Sequence, residues 1–230
     1  MTEPRRAIVT GAAAGIGRAT AERLLRDGWR VVGIDLNAEM PAEVLRIVGD
    51  AVDADVLGRA LTVANGPLDG LVCAAGLAPR GAWNDLESWN ELVRIDLTAP
   101  YQALRLCLPA LAAARGSAVL VGSIVGSVEG SVRSPAYASA KAGLGGLTRS
   151  MALIGAPQGV RVNLVEPGAI DTGFDPPRFP PNARPDVPLG RMGMADEVAG
   201  AIAYLLGSDA SYITGAVLRV DGGRTINEPR

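Results

Sequence analysis

Residues 7–17 read AIVTGAAAGIG, an apolar run followed by a turn with glycines at positions 11, 15 and 17. The apolar run predicts a buried β-strand, and an amphipathic helix is expected to begin at Gly15. Glycines in such a turn permit a tight bend and let backbone N–H groups approach a pyrophosphate at the positive end of the helix dipole. Glycine can also simply ease packing between strand and helix. The candidate phosphate contacts are Gly11, Gly15, Ile16 and Gly17.

A carboxylate stands at the end of the second predicted strand, where Asp35 follows Gly17 by 18 residues. At this place it would accept hydrogen bonds from the adenosine ribose hydroxyls, although a helix cap is the alternative interpretation. A carboxylate repels a 2′-phosphate, and no basic residue lies in 12–14 or directly after Asp35. Taken together, the turn and Asp35 predict binding of NAD rather than NADP.

Short β-branched runs alternate with longer helical stretches along the chain, which indicates βα units and a parallel sheet. Candidate strands are 7–10, 30–35, 47–50, 70–74, 118–123, 160–166 and 216–220. Candidate helices are 15–27, 54–64, 86–114 with proline interruptions, 136–154 and 196–206. The fold class predicted is α/β, a Rossmann-like doubly wound parallel sheet of about seven strands with helices on both faces, in one domain spanning 1–230.

Composition removes several classes of function. The formal net charge of −2 leaves no electrostatic footprint for nucleic acid, and no run reaches the roughly 18 apolar residues of a membrane span. The absence of histidine excludes a Ser-His-Asp centre and the commonest zinc sites, so no metal is expected. Cys73 and Cys107 form no CxxC pair, which favours a reducing compartment, and we expect a cytoplasmic protein.

The single lysine of the chain, Lys141, follows Tyr137 by four residues, whereas the other 21 of the 22 basic residues are arginine. The spacing places phenol and ammonium on one face of a predicted helix. A nearby ammonium favours the phenolate form, as a general acid/base requires, although an exposed surface pair is the plain alternative. Ser123 ends the strand predicted before that helix, where its hydroxyl could hold a substrate oxygen or simply end the strand. A nucleophilic serine is disfavoured, because the surround is not GxSxG and no histidine is present.

One proline-rich stretch interrupts this pattern: residues 173–188 read GFDPPRFPPNARPDVP. Prolines forbid regular helix and central strand there, so the stretch, extended to about 173–190, is either a disordered insert or a lid over a site, and its place in the chain favours a lid. Candidate substrate-wall arginines are Arg80, Arg133 and Arg178. One pointing inward would favour an anionic substrate, and otherwise each is a solvated surface charge.

Further motifs then accumulate along nearly the whole chain. They are the TGxxxGxG turn at 10–17, Asp50 after the third strand, Ala74-Ala75-Gly76 after the fourth, Ser123, Tyr137 with Lys141, Asn163, Pro167-Gly168 through Thr172, and Asp221-Gly222-Gly223. With these motifs the chain resembles the short-chain dehydrogenase/reductase family, in its single-domain NAD-dependent branch.

The resemblance implies an oxidoreductase that moves a hydride between NAD and a secondary alcohol or ketone. Tyr137 would exchange a proton with the substrate oxygen, Ser123 would hydrogen-bond that oxygen, and Lys141 would bind the nicotinamide ribose. The other implied cofactor contacts are Asp50 at the adenine, Ala74, Ala75 and Gly76 along the cofactor, and Gly168, Ile170 and Thr172 at the nicotinamide. The family also implies a homotetramer built through the helices at 86–114 and 136–154 and the C-terminal strand.

Three departures from the family pattern stand out. Asp96 occupies the place of the usual asparagine of a proton-relay tetrad, and an ionised carboxylate accepts hydrogen bonds without donating one. The usual Asn-Asn-Ala-Gly turn is Cys73-Ala74-Ala75-Gly76, and the short interval from Asp35 to Asp50 leaves room for at most one turn of the family's helix there. Asp96 supports one rival function, a cofactor-binding sensor or scaffold that has lost catalysis. An epimerase or dehydratase is disfavoured, because its different glycine spacing and longer C-terminal domain are lacking.

Overall fold

The protein is described by a computed structural model over residues 3–173 and 186–226. Within those residues the strands are β1 (Arg6–Thr10), β2 (Arg30–Asp35), β3 (Leu45–Val48), β4 (Gly70–Cys73), β5 (Ser117–Val121), β6 (Arg161–Pro167), β7 (Ile170–Asp171), β8 (Gly193–Met194) and β9 (Val217–Val220). The helices are α1 (Gly15–Arg26), α2 (Ala54–Ala64), α3 (Leu86–Val93), α4 (Ala99–Ala114), α5 (Ile124–Ser127), α6 (Pro135–Gly155) and α7 (Ala195–Leu206).

Seven of these strands form one parallel sheet in the order β3-β2-β1-β4-β5-β6-β9. The α/β doubly wound fold predicted from the sequence is therefore confirmed. The chain builds outward from β1 to β3 and then crosses to β4 on the other side of β1. At such a switch point the loops after neighbouring strands diverge, so a crevice opens at the carboxyl ends of β1 and β4.

The core lies in two layers, one on each face of the sheet. One layer packs α2, α4 and α6 against the sheet through side chains such as Leu57, Leu104 and Leu144. The other packs α1 and α7 through side chains such as Leu24 and Ile202. The central strands are buried on both sides because both faces are covered, as in β4 and β5, whose residues are all buried.

The structure departs from the predicted elements in the middle of the chain. The third strand ends at Val48 instead of residue 50, and residues 36–44 contain no helix. The long predicted helix 86–114 is broken by a π-helical turn, Arg94–Thr98, and not by its prolines, because Pro100 falls in the first turn of α4 and Pro109 is accommodated within it. The short helix α5 and the paired strands β7 and β8 were not predicted.

Most of the segment predicted as a lid, together with Arg178, falls in 174–185 and lies outside the described residues. Searched over the part of the chain that is described, no helix is long and apolar enough to cross a membrane.

Candidate functional site

The glycine-rich turn lies at the crevice between β1 and β4, and its backbone is packed too closely for side chains. A Cβ on Gly11, where φ is +73°, would lie 2.8 Å from the backbone nitrogen of Ala75, and one on Gly17 would overlap the carbonyl oxygen of Gly11. Thr10 joins the two strand ends, because its Oγ1 accepts hydrogen bonds from Ala74 N–H and Ala75 N–H, both at 3.1 Å. The predicted contacts 11, 17, 74 and 75 therefore lie together at the neighbouring carboxyl ends of β1 and β4.

The turn leads into α1 with its first backbone N–H groups available to an anion. Ala14 precedes the helix with a methyl side chain and makes no capping hydrogen bond, and the first turn, Gly15-Ile16-Gly17-Arg18, holds no carboxylate. Unpaired N–H groups at a helix start carry partial positive charge. Thr172 comes from the chain after β6 to this same turn, since a Cβ on Gly15 would lie 3.3 Å from the Cβ of Thr172. These residues fit the pyrophosphate of a dinucleotide.

Asp35 ends β2 beside that turn. Its Oδ2 accepts the N–H of Ala13 at 3.0 Å and its Oδ1 accepts the N–H of Asn37 at 2.9 Å. Arg18 reaches the following loop by donating to the carbonyl of Glu39 at 3.2 Å, while its Nε pairs with Glu22. The carboxylate of Asp35 is therefore held at the end of β2 by two backbone N–H groups. Arg18, which bonds the loop that follows, is engaged by Glu22 and Glu39 and is not shown to contact Asp35.

Asp50 is held by neighbours in a way that sequence reasoning missed. Its Oδ2 accepts Arg94 Nη1 at 2.8 Å and its Oδ1 accepts Val52 N–H at 3.0 Å. Burial by itself raises the pKa of Asp50, but the hydrogen bonds from Val52 and Arg94 outweigh it and hold the pKa below its ordinary value. Arg94 is separated from Asp50 by 44 residues, so no local pattern signals this ion pair.

Tyr137 and Lys141 lie one turn apart on α6, and both are buried, at 8% and 6% exposure. The Lys141 Nζ lies 5.6 Å from the centre of the Tyr137 ring and donates to the carbonyl of Val121 at 3.2 Å. Val121 is the last residue of β5 and lies two residues before Ser123. The hypothesis of an exposed surface pair is wrong, because the ammonium is drawn into the sheet end.

Ser123 follows β5 and begins α5, where its Oγ accepts Val125 N–H at 3.1 Å. Val125 in turn packs in the small apolar cluster that contains Tyr137. The turn continues tightly onto α6, because a Cβ on Gly126, at φ +99°, would overlap the carbonyl oxygen of Ala138. The structure thus sets the serine-bearing turn against the helix segment that carries the tyrosine.

Asp96 faces the same place from the π-helical turn and is fully buried. Its Oδ1 lies 3.0 Å from Lys141 Nζ, and its two oxygens lie 3.3 and 3.4 Å from the N–H of Leu77. Gly76 makes room for the pair, since a Cβ there would lie 2.6 Å from Asp96 Oδ1 and 3.4 Å from Lys141 Nζ. Burial lowers the pKa of Lys141, but Asp96 and then Tyr137 raise it, and the net direction is upward.

The segment after β6 completes the crevice. Gly168 packs against β9, where a Cβ would lie 2.7 Å from the Cα of Asp221, and Ile170 lies in β7, paired with β8. Asn163 does not face the site: its side chain bonds Ile213 O at 2.9 Å and Ala216 N–H at 3.1 Å, which ties β6 to the C-terminal strand.

The described wall arginines are engaged at the surface. Arg80 pairs with Glu91 at 3.0 Å, and Arg133 donates to the carbonyl of Pro79 at 3.3 Å. Both residues are exposed. Neither contact shows a guanidinium aimed into the crevice, so the interpretation as surface charges fits these two side chains better.

Comparison with known proteins finds relatives along nearly the whole chain. A family model described as enoyl-(acyl carrier protein) reductase matches residues 11–225. Cis-4-hydroxycyclohexanecarboxylate dehydrogenase of Sinomonas cyclohexanicum is 39% identical, over 96% of this chain and 96% of its own length. Protein FixR of Bradyrhizobium diazoefficiens is 35% identical, over 96% of this chain and 87% of its own length. The solved structure of ligand-free aldohexose dehydrogenase of Thermoplasma acidophilum superposes with a TM-score of 0.90 at 30% identity, covering 99% of this chain and 96% of that one.

Proposed function

Because this chain belongs to the short-chain dehydrogenase/reductase family, we propose that it is an NAD-dependent oxidoreductase that interconverts a secondary alcohol and a ketone. The observation that carries the proposal is the anchoring of Lys141. This ammonium lies one turn after Tyr137 and bonds the end of β5, two residues before Ser123. The phenol of Tyr137 and the ammonium of Lys141 thus come from α6, and the hydroxyl of Ser123 comes from the segment after β5. The two elements meet at one end of the sheet.

In the proposed reaction Tyr137 moves the proton. During alcohol oxidation its phenolate takes the hydroxyl proton of the substrate while a hydride leaves the carbinol carbon and a C=O bond forms. During ketone reduction its phenol returns that proton to the oxygen as the carbon gains a hydride. When bound, NAD supplies the acceptor or donor of this hydride. Ser123 orients the substrate oxygen, and Lys141 holds the nicotinamide ribose.

NAD is preferred over NADP in this proposal because of Asp35. The fit of a dinucleotide rests on the tight glycine turn, in which Gly11 and Gly17 pack against backbone, and on the uncapped start of α1. At the adenosine end, Asp35 would accept ribose hydroxyls and repel a 2′-phosphate. Asp50, Ala74, Ala75, Gly76, Gly168, Ile170 and Thr172 are proposed as the remaining cofactor contacts.

The cellular compartment and the oligomeric state are also part of the proposal. Buried free thiols at Cys73 and Cys107 support a reducing, cytoplasmic environment. An exposed edge strand, β9, together with exposed apolar side chains on α6, supports assembly into a homotetramer.

The test combines cofactor binding with turnover. NADH and NADPH are titrated by fluorescence, and a panel of secondary alcohols is then assayed with NAD⁺, beginning with 4-hydroxycyclohexanecarboxylates because a relative is named for acting on one. We expect NADH to bind more tightly than NADPH. In Tyr137→Phe, we expect turnover to fall at least about 1,000-fold with NADH binding retained, since only the proton-transfer group is removed.

Tyr204→Phe is the matched control, because Tyr204 is 45% exposed on α7, on the other face of the sheet. Its turnover should equal that of the wild type. Full activity in Tyr137→Phe would contradict the assigned role. The second candidate function, a cofactor-binding sensor, is favoured by one observation, the carboxylate of Asp96 on Lys141. NADH binding without turnover of any alcohol or ketone would support it.

A further inference from the structure

The pair of Asp96 and Lys141 is a buried ion pair within the proposed catalytic centre. The two charged atoms lie 3.0 Å apart, with side-chain exposures of 6% for Lys141 and 0% for Asp96. Attraction between charges so far from solvent is weakly screened by water and salt. The carboxylate therefore acts on this ammonium more strongly than it would at an exposed site.

The surroundings hold the carboxylate in that position. The N–H of Leu77 faces both of its oxygens, and the close approach of Gly76 leaves no space for the side chain to turn away on that side. Asparagine at position 96 could offer Lys141 the same oxygen without a net charge. This chain therefore differs from one with asparagine at position 96 by a single negative charge. That charge lies on Asp96, beside the ammonium of Lys141.

Other charges near the pair have partners of their own. Among the described residues of the neighbouring elements, the paired ones are Glu91 with Arg80, Arg94 with Asp50, Glu166 with Arg219, and Glu129 with Arg224. Exposed Glu87, Arg105 and Arg149 face solvent, and Arg161 of β6 donates to the carbonyls that end α7.

Two buried thiols, Cys73 and Cys107, belong to the core layer on the same face of the sheet as α6. Burial raises the pKa of Cys107 to about 12, and burial together with the Cys107 thiolate raises that of Cys73 even further. Both cysteines therefore remain neutral over the working range of pH. Within the described part of the chain, these contacts leave Asp96 as the counter-charge of Lys141.

We propose that Asp96 neutralises the Lys141 ammonium and thereby favours the phenol form of Tyr137, so that alcohol oxidation requires a higher pH while ketone reduction persists at neutral pH. The inference rests on the proposed function, because the pH dependence that it describes is that of proton transfer by Tyr137. Oxidation needs the phenolate as base, whereas reduction needs the phenol as acid. A lysine whose charge is offset stabilises phenolate less than an unpaired lysine would. Asp96 is thus a positioning residue that acts through Lys141.

The absorbance of tyrosinate tests the proposed effect of Asp96 on Tyr137 without any substrate. The ultraviolet pH titration of Tyr137→Phe is subtracted from that of the wild type. The titration of the double variant, Asp96→Asn with Tyr137→Phe, is subtracted from that of Asp96→Asn. The exposed Tyr101, Tyr204 and Tyr212 cancel in each difference. We expect the Tyr137 phenolate to form at a pH lower by about one unit or more in Asp96→Asn, the range by which one nearby charge shifts such an equilibrium. Coincident curves would overturn the proposal.

The pH profile of turnover gives the second readout. In Asp96→Asn, the alkaline rise of kcat/KM for alcohol oxidation should move to lower pH by a similar interval, and ketone reduction should decline at a correspondingly lower pH. Asp209→Asn, which removes an exposed carboxylate, is the matched control and should leave both profiles in place. A uniform loss of rate at every pH would show a merely structural role and contradict the inference.

Thermal melting and the substrate-free titration distinguish a failure to fold, a failure of the proposed function and a failure of the inference about Asp96. Loss of one partner of a buried ion pair destabilises a protein strongly, so thermal melting accompanies each variant, and Asp96→Ser provides a second neutral replacement if Asp96→Asn does not fold. If no substrate is turned over by wild type or variant, the proposed function fails while the tyrosinate titration still decides on Asp96. If turnover is normal and the titrations coincide, only the inference about Asp96 fails.

Discussion

Asp35 is the residue on which the proposed preference for NAD over NADP depends. Its carboxylate is partly exposed and is fixed by the N–H groups of Ala13 and Asn37, so it cannot easily swing away from the end of β2. A fixed negative charge disfavours a phosphate placed beside it and costs nothing to a ribose hydroxyl that donates a hydrogen bond. The discrimination is therefore expected to come mainly from repulsion.

We predict that Asp35→Asn reduces the ratio of NADH to NADPH affinity by at least about tenfold, equivalent to roughly 1.4 kcal/mol, because the repulsion is removed while the side-chain shape is kept. Fluorescence titration with both cofactors measures the ratio. Asp35→Glu retains the charge and should preserve most of the preference. An unchanged ratio in Asp35→Asn would assign the selectivity to other residues.

At the scale of elements, the turn between β1 and α1 depends on close backbone approach. Gly17 lies over the carbonyl of Gly11, and Gly11 lies over the peptide between Ala74 and Ala75, so α1, β1 and the end of β4 meet through backbone atoms. Any side chain at these contacts must displace main chain rather than a flexible neighbour. The turn ends at the start of α1, where no side chain caps the first N–H groups of the helix and a phosphate could accept from them.

We predict that Gly17→Ala lowers the affinity for NADH at least about tenfold and destabilises the fold by roughly 1–3 kcal/mol, because the added methyl overlaps the Gly11 carbonyl. Calorimetric melting and cofactor titration measure the two effects. Gly58→Ala is the matched control: Gly58 lies in α2 with open space around its Cβ position. That change should raise stability by about 0.5–1 kcal/mol through helix propensity and leave NADH binding intact. Equal cofactor affinity in both variants would argue against the turn as the phosphate site.

The π-helical turn Arg94–Thr98 is the second element with a functional consequence. It interrupts what would otherwise be one helix and gives two site-directed contacts, Arg94 to Asp50 and Asp96 to Lys141. An extra residue in a helical turn shifts the register of the side chains, so the residues of α3 and α4 can each keep their own buried face. The element thus contacts both Asp50, at the predicted adenine end of the crevice, and Lys141, at its proposed catalytic end.

At the scale of the whole molecule, several large apolar side chains are left at the surface. Leu153 and Ile154 on α6 are 77% and 52% exposed, and Val217 on the edge strand β9 is 41% exposed. A parallel sheet edge with unpaired backbone groups and exposed apolar neighbours tends to be covered by another chain. These surfaces lie on two of the elements for which family resemblance implies subunit contacts.

We predict that the protein sediments as a homotetramer and that Leu153→Glu shifts it toward smaller species, because a charge is then buried at a subunit contact. Analytical ultracentrifugation over a concentration series measures the distribution. Val48→Glu, which places the same charge on β3 at the opposite edge of the sheet, serves as the control and should leave the assembly unchanged. A monomeric wild type at micromolar concentration would contradict the prediction.

The sequence by itself determined the features that depend on local pattern. Apolar runs and helical periodicity identified the strands of the main sheet and the class of fold, with errors of a few residues at ends such as that of β3. The glycine turn, Asp35 and the interval from Tyr137 to Lys141 could be interpreted because each spacing lies within one helix or one strand-helix-strand unit. The break in the helix at 94–98 could not, since a π-helical turn is selected by packing on both sides and not by the prolines nearby.

Only the tertiary structure decided which distant side chains meet. The contacts of Asp96 with Lys141 and of Arg94 with Asp50 join residues 45 and 44 positions apart, and no periodicity relates them. The parallel order of β1, β4 and β5 brings the carboxyl ends of these strands to one edge, and packing of α6 then places its buried lysine there. Charge pairing in a buried site depends on such three-dimensional proximity, because the energy follows the distance between atoms and not the separation along the chain.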